Sequence, residues 1–231
     1  MGKDGRQYIR YSFYKVDPEW RRLEASVKEA NRRELAAVID ELSDQMLIRS
    51  YSTVGTRADT DLALWTVAPE LDQLQVLATR MFSTAMGRYL NTAYSYLAMT
   101  RKSVYIEKHE HLQQEGSRLS IQPQGSKHLF VYPFVKTREW YLLPQEQRQQ
   151  MMDSHIAVGH KYPSVKINTS YSFGLDDQEF VLSFEGDEPS DFLDLVMELR
   201  ETQASKYTLR DTPIFTCTSM EIEDALRSVG E

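Results

Sequence analysis

The stretch 149–163, "QQMMDSHIAVGHKYP", holds two of the five histidines of this chain, His155 and His160. Neutral imidazole is a common metal ligand, so the surroundings of each decide what it could do. On a helix over 144–160, Met151, Met152, His155, Ile156 and Gly159 fall on one side. His160 lies about 140° further round, beside Lys161 at the helix end. A cation there suits the helix dipole, so His160 reads as a surface cap. His155, on the apolar face, is either a satisfied core residue or a ligand. No second His, Cys or carboxylate stands at helical ligand spacing, and Glu146 is about 180° away on the wheel. That pattern disfavours a closed zinc site. A single imidazole is what haem iron needs on its proximal side, although spacing alone does not put iron there.

Weaker signals lie elsewhere. "HEH" at 109–111 offers two imidazoles but no third ligand, and a solvated polar loop explains it better. "GLDD" at 174–177 has the residues of a turn between strands. Tyr132 and Lys136, in "VYPFVK", read on spacing alone as a cross-strand aromatic and a solvated strand end. Cys217 is the single cysteine, so an internal disulfide is impossible, and the usage fits a reducing compartment.

The elements that must position these residues follow from periodicity. Residues 7–14, "QYIRYSFY", alternate and predict a strand. Asp17-Pro18 opens a helix expected to run to about residue 42. Strands follow over 45–54 and 61–67 with a "GTRAD" turn between them, then a helix from Pro69 to Gly87, then the strand "YLNTAYSYLAM". That order, β-α-β-β-α-β, is the ferredoxin-like pattern. The polar run 107–127 reads as a linker or a long functional loop. The pattern then repeats: strand 128–135, helix 144–160, strands 164–172 and 179–186, helix 190–204, strand 213–218. The expectation is an α+β chain of two ferredoxin-like domains, 1–112 and 113–231, with their antiparallel sheets packed together.

With 231 residues, 41 % of them hydrophobic, the chain can bury a core without staples. A net charge of −7 makes it a poor partner for nucleic acid. No run approaches the ~18 apolar residues of a membrane span, and the charged start "MGKDGRQYIRYSF" has no signal-peptide core. A cytoplasmic location is expected.

Several motifs in order, "AMGRYLNTAYSYLAMTRKSVY", "VYPFVKTREWYLLPQEQRQQMMDSH", "KYPSVKINTSYSFGLDDQEFVLSFE" and "DFLDLVMELRETQAS", resemble the chlorite dismutase and coproheme decarboxylase superfamily. The resemblance implies a subunit of two ferredoxin-like domains, usually assembled as a homopentamer. Haem b or iron coproporphyrin III would sit in the C-terminal domain alone, with His155 as the proximal iron ligand. Chlorite dismutases carry a distal Arg where this chain has Ile167. Arg keeps its charge and binds oxyanions through several donors, so Ile167 points away from chlorite dismutation.

Tyr132 and Lys136 match the reactive Tyr and nearby Lys of coproheme decarboxylases, which use hydrogen peroxide as oxidant. The resemblance also implies that Arg118, Arg200 and Ser205 hold propionates. Gln203 stands where family members often place a Glu against the proximal imidazole. Glu115 stands where one branch has a distal base. Trp140 and Tyr141 could line the porphyrin edge, although buried aromatics need no ligand to explain them. Two alternatives stay open, a haem-binding or haem-delivery protein with little chemistry of its own and a generic haem peroxidase.

Overall fold

The computed structural model describes residues 5–105 and 120–230. The chain divides into two compact units, one of residues 1–99 with 215–231, the other of residues 100–214.

The first unit opens with β1 (Tyr8–Val16), whose aromatic and β-branched residues are mostly buried. Asp17 then caps a 3₁₀ turn, Pro18–Arg22, by accepting from the Glu19 N–H at 2.8 Å. Leu23 is extended, so the expected single helix starts again as α1 (Ala25–Ser43). β2 (Leu47–Ser52) and β3 (Leu62–Ala68) form the next hairpin, and Gly55, in the "GTRAD" turn, takes φ +81°. α2 (Leu71–Ser83) ends short of the expected Gly87. Thr84 is extended there, and its hydroxyl reaches the Met81 carbonyl at 2.7 Å. β4 (Leu90–Met99) completes the pattern.

β4 and β3 flank β1, and β2 pairs with β3, all antiparallel. The order β4-β1-β3-β2 is that of a ferredoxin-like sheet. α1 and α2 bury Leu35, Ile39, Leu74, Leu77 and Met81 in one cluster with Leu62 and Leu64 of β3.

The second unit repeats the plan. β5 (His128–Lys136) leads to a short α3 (Arg138–Leu142) and then α4 (Gln145–Gly159). β6 (Lys166–Tyr171), β7 (Phe180–Gly186), α5 (Pro189–Glu201) and β8 (Thr208–Arg210) follow. β7 pairs with both β5 and β6, and β8 pairs with β5, so the order is β8-β5-β7-β6. "GLDD" is a turn, with Gly174 at φ +73°.

The fourth strand of this unit is therefore β8. The strand expected in that role, over 213–218, forms as β9 (Phe215–Ser219) and pairs with β2. It carries α6 (Ile222–Arg227) into the first unit, where Ile222, Ala225 and Leu226 join the core. The second unit thus ends at residue 214 and the first takes back residues 215–231, unlike a simple division at 112/113. Among the described residues no helix is long and apolar enough to cross a membrane.

Candidate functional site

Alternation along β5 puts Phe130, Tyr132, Phe134 and Lys136 on one face. That face packs beneath the two long helices. Phe130 and Tyr132 share a cluster with Phe184, Phe192 and Leu195, flanked by Val158 of α4 and Leu199 of α5. The Tyr132 ring stacks on Phe184 with centroids 5.6 Å apart. Burial pushes the Tyr132 phenol up, the nearby Asp211 carboxylate adds to this, and Arg200 opposes it. At neutral pH Tyr132 keeps its proton.

Lys136, read from spacing as a solvated strand end, is only 8 % exposed. Its ammonium donates to the Ala204 carbonyl at 2.8 Å and lies 4.5 Å from the centre of the buried Trp140 ring. Burial lowers its pKa to about 8, with the Glu179 charge pulling the other way. Glu179 accepts from the Lys136 backbone N–H at 2.8 Å and from the Tyr141 hydroxyl at 2.5 Å. A cation held on an aromatic face, one donor committed to a backbone carbonyl, keeps further donors for an anionic guest.

His155 sits on α4 with Nδ1 3.1 Å from the Thr202 hydroxyl. Burial lowers its pKa to about 4, and the positive charge of Lys136 contributes. The imidazole is neutral at physiological pH, the form that ligates metals. Among the described residues no three His, Cys, Asp or Glu side chains gather to hold a metal ion. A lone imidazole suits an iron that brings its own nitrogen ligands.

The surroundings fit such a group. α4 carries Met151, Met152, Ile156 and Val158, yet none of its residues is fully buried. Arg148, seven residues before His155 and about 20° from it on the wheel, has a buried Nε with no hydrogen-bond partner among the described residues. A half-buried apolar helix face, a guanidinium whose buried Nε lacks a partner among the described residues and a buried ammonium match a flat apolar ring with carboxylate substituents.

The other expected residues divide. Ile167, on β6, is half-buried against the same cluster, and a Cβ added at Gly159 would lie 3.4 Å from its Cδ1. It turns an apolar side chain toward α4, with no charge for an oxyanion. Arg200 pairs with Asp211 at 2.8 Å and remains largely exposed. The Ser205 hydroxyl lies 2.6 Å from the Arg200 carbonyl and 2.8 Å from that of Thr202, so it caps the end of α5. Gln203 is exposed, and the contact expected of it belongs to Thr202, one residue earlier. His160 is the exposed C-cap of α4. Glu115, Arg118 and the 109–111 "HEH" lie outside the described residues.

Sequence reasoning missed Thr202, Arg148 and Glu179. The seven-residue spacing from His155 could have flagged Arg148. Thr202 and Glu179 had no local signal, because their partners are 47 and 43 residues away.

The profile of the family described as chlorite dismutase matches residues 28–220. A coproheme decarboxylase of Mycolicibacterium smegmatis is 33 % identical over 177 residues, covering 76 % of this chain and 74 % of that protein. Chlorite dismutase from Candidatus Nitrospira defluvii, solved in complex with imidazole, superposes with a TM-score of 0.88 at 23 % identity, covering 97 % of this chain and 95 % of that one. That likeness is one of fold. A structure described as a novel heme-binding protein from Thermus thermophilus superposes with a TM-score of 0.83 at 26 % identity, over 96 % of this chain and 94 % of that one.

Proposed function

This chain belongs to the chlorite dismutase family, and from that premise we propose that it is a haem-dependent oxidoreductase of the coproheme decarboxylase type. It would convert iron coproporphyrin III to haem b with hydrogen peroxide. The observation that carries the reading is the shared face of β5, where a proton-bearing Tyr132 lies with a buried ammonium at Lys136 whose charge reaches the neutral imidazole of His155. The Mycolicibacterium relative, named for this reaction, supports the choice among family chemistries. Ile167 supports it further by leaving no distal guanidinium for chlorite.

Each propionate that reacts loses CO₂ and a hydrogen to become vinyl, giving up two electrons. Peroxide takes those electrons with two protons and becomes two waters. The iron porphyrin, when bound, supplies the site at which peroxide is reduced. The remaining roles belong to the chain. His155 holds the iron through Nε2. Lys136 draws a propionate carboxylate toward the β5 face, where charge-assisted hydrogen bonds are strengthened by burial. Tyr132 passes the oxidising equivalent to that propionate. Its phenol is protonated at rest, so one-electron oxidation must release a proton; Glu115 is the proposed base that takes a proton from peroxide. Arg118, Arg200 and Ser205 bind the remaining propionates, and for Arg200 this requires exchanging Asp211 for the ligand. Trp140 packs under the Lys136 end of the site, while Gln203 contributes from outside the contact shell of His155.

Assembly as a homopentamer in the cytoplasm is part of the proposal, and native mass spectrometry reads the subunit number. For the chemistry, the apoprotein is loaded with iron coproporphyrin III, titrated with hydrogen peroxide, and the porphyrin mass is followed. Loss of two carboxyl groups is expected, and Tyr132→Phe should abolish it while leaving binding intact. Full turnover by the Phe variant would sink the mechanism. A second reading, a haem-binding protein without turnover, draws on the Thermus relative. It predicts tight binding and an unchanged porphyrin mass.

A further inference from the structure

The Thr202 hydroxyl has one proton, and its hydrogen-bond geometry accounts for it. Thr202 Oγ1 lies 2.7 Å from the Leu199 carbonyl. That carbonyl, in the last turn of α5 (Pro189–Glu201), also accepts from the Thr202 backbone N–H at 3.2 Å. A carbonyl cannot donate, so the hydroxyl gives its proton to Leu199. Its oxygen can then only accept from His155 Nδ1, 3.1 Å away. The imidazole must carry its proton on Nδ1 and leave a bare lone pair on Nε2. The three groups form a chain that runs from imidazole N–H through hydroxyl to the carboxyl end of a helix.

We propose that Thr202 is the positioning residue of the proximal histidine, fixing the Nδ1–H tautomer of His155 and presenting the iron with a neutral rather than a carboxylate-polarised imidazole. This rests on the reading of His155 as the iron ligand. A carboxylate on Nδ1 pulls the proton toward itself and makes Nε2 a stronger donor, whereas a hydroxyl that is itself donating elsewhere polarises the ring less. The chain is thereby set for a softer axial ligand and a higher ferric/ferrous potential than a Glu at this position would give. Thr is also short and β-branched, so its χ1 is stiff and holds the imidazole in one orientation.

The test begins without porphyrin. In apoprotein labelled with ¹⁵N-histidine, the His155 ring nitrogens should report the Nδ1–H tautomer. Thr202→Ser should keep it and Thr202→Val should lose the preference. An Nε2–H tautomer in the parent chain, or a tautomer indifferent to Thr202→Val, overturns the proposal. In the ferrous haem-loaded protein, Thr202→Glu should raise the iron–histidine stretching frequency and lower the midpoint potential, with Thr202→Ser near the parent. No shift in either quantity with Thr202→Glu also overturns it. The two readings fail separately. If His155→Ala leaves the iron spectrum unchanged, the ligand assignment falls while the apoprotein tautomer stands on its own measurement.

Discussion

Lys136 is 8 % exposed over the Trp140 ring, with its pKa lowered to about 8 by burial. The unfolded chain keeps this lysine protonated up to about 10.4. Between the two values the unfolded state binds more protons, so stability rises with pH over that window. Below about 8 both states are charged and the full cost of burying the cation remains. Lys136→Met should therefore stabilise the porphyrin-free protein by about 1–3 kcal/mol at pH 7. The gain should shrink toward pH 10, and the same variant should bind iron coproporphyrin III less tightly. Urea denaturation at pH 7 and pH 10, with a porphyrin titration, measures both. A Met variant less stable than its parent at pH 7 would mean that the Ala204 bond outweighs the desolvation. A buried cation that weakens the fold while serving the ligand is the usual trade between stability and function. The resemblance of "VYPFVK" to a known motif picked out this residue, but its burial was not legible, since a lysine at a strand end is ordinarily solvated.

The ends of helices decide more than their middles. The apolar periodicity of 71–81 is plain in the sequence, yet α2 stops at Ser83, and the chain turns through Thr84 to pass close to Met81. A Cβ at Gly87 would lie 2.0 Å from the Met81 carbonyl oxygen and 2.9 Å from the Phe82 Cα. Backbone atoms cannot move aside as a side chain would. Gly87→Ala should cost at least about 2 kcal/mol, read as a lower urea midpoint with an unchanged slope. An Ala variant as stable as its parent would show that the turn relaxes freely. α4 shows the complementary case. Its sequence promised an apolar face, and among the described residues Met151, Met152, His155 and Ile156 on that face are only half-buried. Its C-terminal end packs near α5, and there His155 finds Thr202, a meeting of two helix ends that neither segment encodes alone.

At the scale of the molecule, the chain makes two units of one plan, and its last 17 residues return to the first. Phe215 stacks on Phe13 with centroids 3.8 Å apart, and Arg57 lies 4.9 Å over the same ring. With Ile222, Ala225 and Leu226, the returning segment closes the core of the first unit. Removing residues 215–231 should lower the melting temperature by about 10 °C or more, since several kcal/mol of buried apolar surface goes with them. Circular dichroism of the truncated and full chains tests this. An unchanged melting curve would mean that the first unit closes without its last strand.

Local sequence by itself determined the elements. Period-2 and period-3.6 patterns, Asp17-Pro18 and the glycines at turns reflect forces that act within a few residues, so the β-α-β-β-α-β order could be read without a structure in the first unit, and in the second up to its fourth strand, which is β8 rather than the segment 213–218. His155 on its apolar face was legible for the same reason, and the motif resemblance brought Tyr132 and Lys136 beside it. Pairing was decided only in three dimensions. β9 could be recognised as a strand, but its choice of β2 depends on which sheet edge and which core it completes, and that energy is shared with residues more than 160 positions away. Thr202 became the partner of His155, in place of Gln203, for a like reason. Thr202 is extended just past the last residue of α5 and Gln203 opens the following 3₁₀ turn, and only the packing of α5 against α4 selects which of them reaches the imidazole.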